Sequence, residues 1–160
     1  MTTSLNDSWD LWIHKAKDSN WSESSYIKVS RFNDVESFWA YFNLLNKSVF
    51  NDKMLFLMKN GIKPIWEYPA ISNGGYWSFK VSNQNILPVF QRVVIFMLID
   101  QISATTGHNI VGVSTSPKKG FHIIKIWNNN AKKGDLKNID IRNLDIAMSD
   151  VIYTPFKKKS

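Results

Sequence analysis

The sequence predicts an α+β fold in which one antiparallel sheet carries helices on a single face. Three observations predict it. Short stretches of alternating apolar and polar residues recur along the chain, a few segments replace that period by a helical one, and no internal repeat or linker divides the 160 residues. With 44% hydrophobic residues and no low-complexity tract, the chain fits one domain, 1–160, large enough for a full core. A short flexible N-terminus and the lysine-rich tail Lys157 to Lys159 are expected to flank it.

Trp9 to Lys15 reads as a first strand, with Leu11 and Ile13 on one face and Trp12 on the other. A polar loop, Lys17 to Ser25, follows and carries Trp21 in company unusual for an indole. Tyr26 to Phe32 alternates as a second strand. Asn33 and Glu36 form a capping box that opens a helix from about Asp34 to Asn46. On that helix Phe38, Tyr41, Phe42 and Leu45 share the core-facing stripe, and Val35 and Trp39 sit at its shoulder. Met54 to Met58 and Ile62 to Trp66 are strand-like, and Asn73-Gly74-Gly75 turns the chain into a strand through Tyr76, Trp77 and Phe79. Pro88 suits the first turn of a helix whose body, Val89 to Ile102, is apolar on nearly every side, as a helix packed across a sheet must be. Ile110 to Ser114 and Phe121 to Trp127 form a hairpin around Ser116 to Gly120. Asn128 to Gly134 reads as a flexible loop, 135–145 as a short helix, and Val151 to Tyr153 as the last strand.

Composition narrows the function classes. Zero cysteines exclude disulfides, thiol catalysis and cysteine zinc sites. His14, His108 and His122 fall on separate elements without metal-like spacing, and no nucleophile motif or glycine-rich phosphate loop is present. Neither an enzyme, a metal site nor a cofactor is expected. There is no apolar run of about 18 residues, and the polar start Met1-Thr2-Thr3-Ser4 lacks the pattern of a signal peptide, so a cytoplasmic or nuclear protein is expected. A net charge of +7 favours an anionic partner such as nucleic acid or nucleotide phosphate. Abundant asparagine, isoleucine and lysine suit an AT-rich genome, viral or protist.

Seven tryptophans are more than a core of this size ordinarily uses. Trp66 stands directly before Glu67 in Gly61-Ile62-Lys63-Pro64-Ile65-Trp66-Glu67. An indole face beside a carboxylate can stack on a flat, electron-poor ring while accepting hydrogen bonds from its edge. A planar ligand is therefore expected. A general single-stranded RNA binder would use the same aromatics and charge. A carbohydrate module would leave the basic balance without a purpose.

The segments Trp9-Asp10-Leu11-Trp12, Trp21, Val35-Glu36-Ser37-Phe38-Trp39-Ala40, Gly61 to Glu67, Gly74-Gly75-Tyr76-Trp77 and Ile126-Trp127 share order and approximate spacing with one family. Over nearly its whole length the chain resembles translation initiation factor 4E, the messenger RNA cap-binding protein of eukaryotes. The resemblance implies a curved antiparallel sheet with about three helices on the convex face and the cap pocket on the concave side. It implies that Trp21 and Trp66 sandwich the methylated, positively charged guanine, adding cation–π attraction to stacking. Glu67 would accept from the imino and amino groups of the guanine edge, and Trp127 would complete the pocket near the methyl group. Trp9, Trp12 and Trp77 match family positions that are mainly structural and are assigned to the core.

The chain departs from the family where phosphates bind. Tyr76 replaces a basic residue before the tryptophan of Gly-Gly-x-Trp, and Ile123 stands four before Trp127 where a lysine is usual. Lys118 and Lys119 at the hairpin turn are the remaining candidates for phosphate, joined by Lys125, which strand alternation puts on the face of Trp127 and opposite that of His122. The partner surface departs as well. Val35 and Trp39 match the anchors that receive an amphipathic helix from the scaffold protein of the initiation complex or from a repressor, with Ile95 on the long helix. Gln91 stands where the family is apolar and Arg92 where it is acidic, a change that alters which partner is accepted. The His-Pro-Leu lead-in is missing, with Ser4-Leu5 near its place. These departures mark a divergent homologue, of virus-encoded kind, expected to be a monomer outside the initiation complex.

Overall fold

The computed structural model describes residues 4–65, 68, 69, 71–99, 110–135, 139, 146 and 148–156. Seven strands, β1 (Ser4–Lys15), β2 (Ile27–Asp34), β3 (Lys53–Lys59), β4 (Gly75–Ser82), β5 (Ile110–Pro117), β6 (Phe121–Asn128) and β7 (Ile152–Pro155), make one sheet in the order β2-β1-β3-β5-β6-β4-β7. Every pairing is antiparallel. The helices α1 (Val35–Phe42), α2 (Lys47–Asp52) and α3 (Ile86–Leu98) pack on the convex face of the curved sheet.

Side chains alternate across each strand, and that period sorts the apolar residues into two cores. Trp9, Leu11, Leu55, Leu57, Trp77, Phe79, Val113, Ile124 and Ile126 point to the helices and meet Phe38, Phe42, Phe50, Phe90, Val93 and Val94. Phe42 and Phe90 stack at 5.8 Å, joining α1 to α3. Each such side chain, fully buried, contributes about 1.5–3 kcal/mol. Residues of opposite parity, among them Phe56, Met58, Val111 and Trp127, form a smaller cluster on the concave side, with Trp12, Tyr26, Met54, Tyr76 and Phe156 against it. Trp9 and Trp77 are core residues as expected, while Trp12 is only half-buried, on the concave side.

Several boundaries differ from the sequence reading for identifiable reasons. The cap of α1 is Asp34, whose carboxylate accepts from the Ser37 N–H at 2.6 Å and is held below the usual carboxylate range by that bond. Asn33 instead accepts from Ser8 Oγ at 2.5 Å, a contact between strands that local sequence does not reveal. The predicted helix to Asn46 stops at Phe42, because Asn46 turns its side chain to the Val49 N–H and caps a separate helix, α2. Ile62 to Ile65 are turns, not strand: Gly61 has φ +87°, Ile65 N–H donates to Lys63 O at 2.8 Å, and Pro64 has no N–H to give a ladder. The loop read as flexible starts inside β6 and contains a 3-10 turn, Ala131–Lys133, capped by Asn130. The last strand is Ile152–Pro155. The helix predicted at 135–145 lies outside the described residues except for Asp135 and Ile139, as do residues 100–102 of the predicted Val89 to Ile102 segment, whose helix α3 runs Ile86–Leu98 with Ile99 as its C-cap.

Candidate ligand pocket on the concave face

Cross-strand register sets out the concave floor in rows. One row runs Trp12, Phe56, Ser114, Lys125 and Ser78 over β1, β3, β5, β6 and β4. The next runs Asp10, Met58, Gly112, Trp127, Tyr76 and Thr154, ending on β7. Glycine at 112 suits the packing, since a Cβ there would stand 2.9 Å from the Leu57 carbonyl oxygen and 2.3 Å from Met58 Sδ. Above this floor opens a cavity of about 540 Å³, within the range of small-molecule sites. Trp21, Tyr26, Pro64 and Ile65 line one side, Tyr76, Trp127 and Thr154 to Phe156 the other, and Ser116, Lys118 and Lys125 reach it from the hairpin.

Trp21 sits on a loop built for it. Asp18 Oδ1 accepts from the Asn20 N–H at 2.9 Å and Asn20 Oδ1 from the Ser22 N–H at 3.0 Å, two successive side-chain turns on either side of the indole. Behind the indole lies His14, buried and parallel to it, with ring centroids 4.2 Å apart and planes within 5°. Its Nε2 hydrogen-bonds the Asn20 carbonyl at 2.7 Å and Ser25 Oγ at 3.0 Å, and its Nδ1 the Lys15 carbonyl at 2.8 Å. Trp21 remains 51% exposed with one face covered, so a stacking surface is held open to the cavity. An ion pair between Glu23 and Lys63 ties this loop to the segment ending in Pro64 and Ile65, and the carboxylate raises the Lys63 pKa. Trp66 and Glu67 follow Ile65 directly but lie outside the described residues.

Trp127 is buried, its Nε1–H donating to Ser114 Oγ at 3.0 Å and its ring edge-on to Phe56 at 6.1 Å. Phe156 packs on both Trp127, at 5.4 Å, and Tyr76, at 5.9 Å. Asn128 fixes this wall: its Oδ1 accepts from the Gly75 N–H at 3.0 Å and the Tyr153 O–H at 2.7 Å, and its Nδ2–H donates to Asn130 O at 3.0 Å. Burial pushes the Tyr153 phenol up, away from ionisation.

The cations divide. Lys125 lines the cavity with its ammonium 4.5 Å over the Tyr76 ring, and burial and then the charge of Lys118 lower its pKa. Lys118 lines the cavity too, while Lys119 is exposed at the turn and outside the lining. His122 points to the other face as alternation requires, its Nε2–H donating to Phe50 O at 3.2 Å. On the convex side Val35 and Trp39 on α1 and Gln91 and Ile95 on α3 are half-buried, and Arg92 is exposed. Among the described residues no group of three metal-ligating side chains gathers, and no helix is long and apolar enough to cross a membrane. His108 and Lys157 to Lys159 lie outside them.

The sequence reading thus finds Trp21, Trp127, Lys118 and Lys125 around one cavity and misses its support. His14 and Phe56 were open to detection, since each shares strand parity with a concave neighbour, Trp12 and Met54 respectively. Phe156 was not, because it lies one residue past β7 and is placed by its N–H donating to Gly74 O at 2.9 Å, a long-range bond.

A family model for eukaryotic initiation factor 4E matches residues 4–158. Eukaryotic translation initiation factor 4E-2 of Schizosaccharomyces pombe is 30% identical over 143 residues, 84% of this chain and 57% of that protein. Eukaryotic translation initiation factor 4E of Eremothecium gossypii is 31% identical over 144 residues, 84% of this chain and 66% of its own. The chain spans about half to two thirds of the length of these curated relatives. Among solved structures, Ascaris suum eIF4E-3 with m7G cap superposes with a TM-score of 0.83 at 23% identity, over 99% of this chain and 94% of that one. C. elegans eIF4E-3 in complex with the 4E-binding protein Mextli and cap analog gives 0.83 at 22% identity, over 97% and 93%.

Proposed function

Because the chain belongs to the eukaryotic initiation factor 4E family, we propose that its concave pocket binds the 7-methylguanosine cap of messenger RNA, in translation initiation or its control. One observation carries the reading: a half-exposed indole, Trp21, backed by His14, opens onto a cavity that Trp127, Lys118 and Lys125 also line. A cationic base stacks on such a face with about 1–3 kcal/mol. Trp66 is the second stacker in this reading and Glu67 the acceptor for the guanine edge, whose two adjacent donors adenine lacks. The lysines take the phosphates, Lys118 and Lys125 from the pocket wall and Lys119 from the turn beyond it. The cytoplasm, where capped messages are translated, is the compartment that goes with this role.

The convex face serves a protein partner in the same reading. Val35, Trp39, Gln91, Arg92 and Ile95 receive an amphipathic helix of the initiation scaffold or of a repressor, with Gln91 and Arg92 shifting the choice of partner. Titration followed by intrinsic tryptophan fluorescence tests the cap reading. Quenching is expected with 7-methylguanosine triphosphate and not with guanosine triphosphate at the same concentration, and Trp21→Ala is expected to abolish it. Equal response to both nucleotides would sink cap recognition in favour of general RNA binding.

A further inference from the structure

Lys125 is placed unlike an ordinary surface lysine. Its stem comes off the middle of β6, its ammonium lies 4.5 Å from the centroid of the Tyr76 ring on the neighbouring strand, and among the described residues no carboxylate pairs with it. Tyr76 is itself fixed, lying opposite Trp127 on β6 and Thr154 on β7, with Phe156 against its ring at 5.9 Å. Lys118 reaches the same cavity, close enough that the two positive charges oppose each other. A ring face attracts a cation without cancelling its charge, so the ammonium is held and remains available to an anion. A carboxylate in that position would have neutralised it.

We propose that Tyr76 is the positioning residue of the anion site, its ring holding Lys125 so that Lys125 and Lys118 together grip the phosphate chain of a nucleotide whose base lies in the aromatic pocket. The inference rests on the nucleotide reading given above and adds to it the means by which phosphates are bound where the strand offers a tyrosine and not a cation. The positive charge at this wall comes from β6, and the ring on the neighbouring strand β4 anchors it. Holding a long side chain in place before the ligand arrives removes part of the ordering cost of binding.

Affinities of 7-methylguanosine, which has the base without phosphates, and of its 5′-triphosphate, measured for the unaltered chain and for Tyr76→Phe, Tyr76→Leu and Lys125→Gln, test this. The ratio of the two affinities isolates the phosphate contribution. Tyr76→Phe, which keeps the ring, is expected to keep the ratio. Tyr76→Leu is expected to lower it about fivefold, within the range of one cation–π contact, and to approach the ratio of Lys125→Gln. The double variant is expected to lose no more than Lys125→Gln alone. An unchanged ratio in Tyr76→Leu overturns the proposal, and so does an equal loss for nucleoside and triphosphate, which makes Tyr76 a plain wall. If the unaltered chain fails to prefer methylated over unmethylated triphosphate while the ratio still depends on Tyr76, the cap reading falls and the anion site stands. Absence of binding by either ligand removes both.

Discussion

Replacing His14 by alanine tests whether the base platform is held from behind. His14 is 1% exposed, stacks flat on Trp21, and hydrogen-bonds Asn20 and Ser25, one on each side of the indole. The one Nε2–H, shared between the two acceptors, contributes about 1 kcal/mol and the ring contact roughly 0.5–1.5 kcal/mol, so the substitution removes about 2 kcal/mol from the closed loop. Part of the loop's order survives in the Asp18 and Asn20 turns and the Glu23–Lys63 pair. The apparent affinity falls with the fraction of chains whose loop is closed, and a roughly 10- to 100-fold loss for 7-methylguanosine triphosphate follows. His14→Phe restores a ring but not the bonds and should lose about tenfold or less. Isothermal titration gives the affinities, and circular dichroism checks that the sheet persists. An affinity for His14→Ala within about threefold of the original, in a chain where Trp21→Ala abolishes binding, refutes the supporting role.

Two further substitutions probe stability. Asn128→Leu strands the Gly75 N–H and the Tyr153 hydroxyl in a buried site, at a cost of about 3 kcal/mol and a fall in Tm of roughly 6–12 °C by calorimetry; a change under about 2 °C would contradict the network. His122 is buried with Nδ1 unpartnered, and burial lowers its pKa despite the bond to Phe50 O. The unfolded chain therefore takes up the proton first, so stability present above about pH 6.5 is lost as pH falls, by up to about 1.4 kcal/mol per unit. Thermal melts between about pH 7.5 and 5.5 should show that slope, and His122→Gln, which can still donate to Phe50 O, should flatten it. The cap carboxylate of Asp34 also loses its contribution on acidification, but in the lower, carboxylate range.

Strand parity was the most legible part of the chain. Leu11 and Ile13 against Trp12, and Trp127 with Lys125 against His122, take the faces that alternation assigns, because the helical side of β1 and β6 is packed into the main core. Legibility failed where long-range contacts decide. Asn33 loses the helix cap to Asp34 because Ser8, on a neighbouring strand, engages it. The apolar spacing through Leu45 continues past the true end of α1, since nothing in periodicity reports that Asn46 will cap a new helix. The chemistry of the pocket was half legible: indoles and lysines are conspicuous, whereas a histidine behind an indole reads as any buried histidine until its neighbours are known.

The anion site also carries a folding cost that its ligand can relieve. Burial and the Lys118 charge lower the pKa of Lys125, so the folded chain releases its proton before the unfolded one does. In the window between the lowered value and the ordinary lysine range the unfolded state binds more protons, and stability rises with pH; below that window the charged form penalises folding in full. A polyphosphate between the two ammoniums offsets both causes, since its negative charge favours the protonated lysine and screens the repulsion from Lys118. Ligand binding should therefore stabilise the fold by more at neutral pH than at alkaline pH, where Lys125 gives up its proton and with it part of its hold on phosphate. Melting shifts with 7-methylguanosine triphosphate at about pH 7 and about pH 10 are compared between the unaltered chain and Lys125→Gln, so that loss of the base's own imino proton, common to both, cancels, and the pH difference is expected to be larger in the unaltered chain. A pH difference of the same size in both chains would mean that Lys125 takes no part in holding the anion.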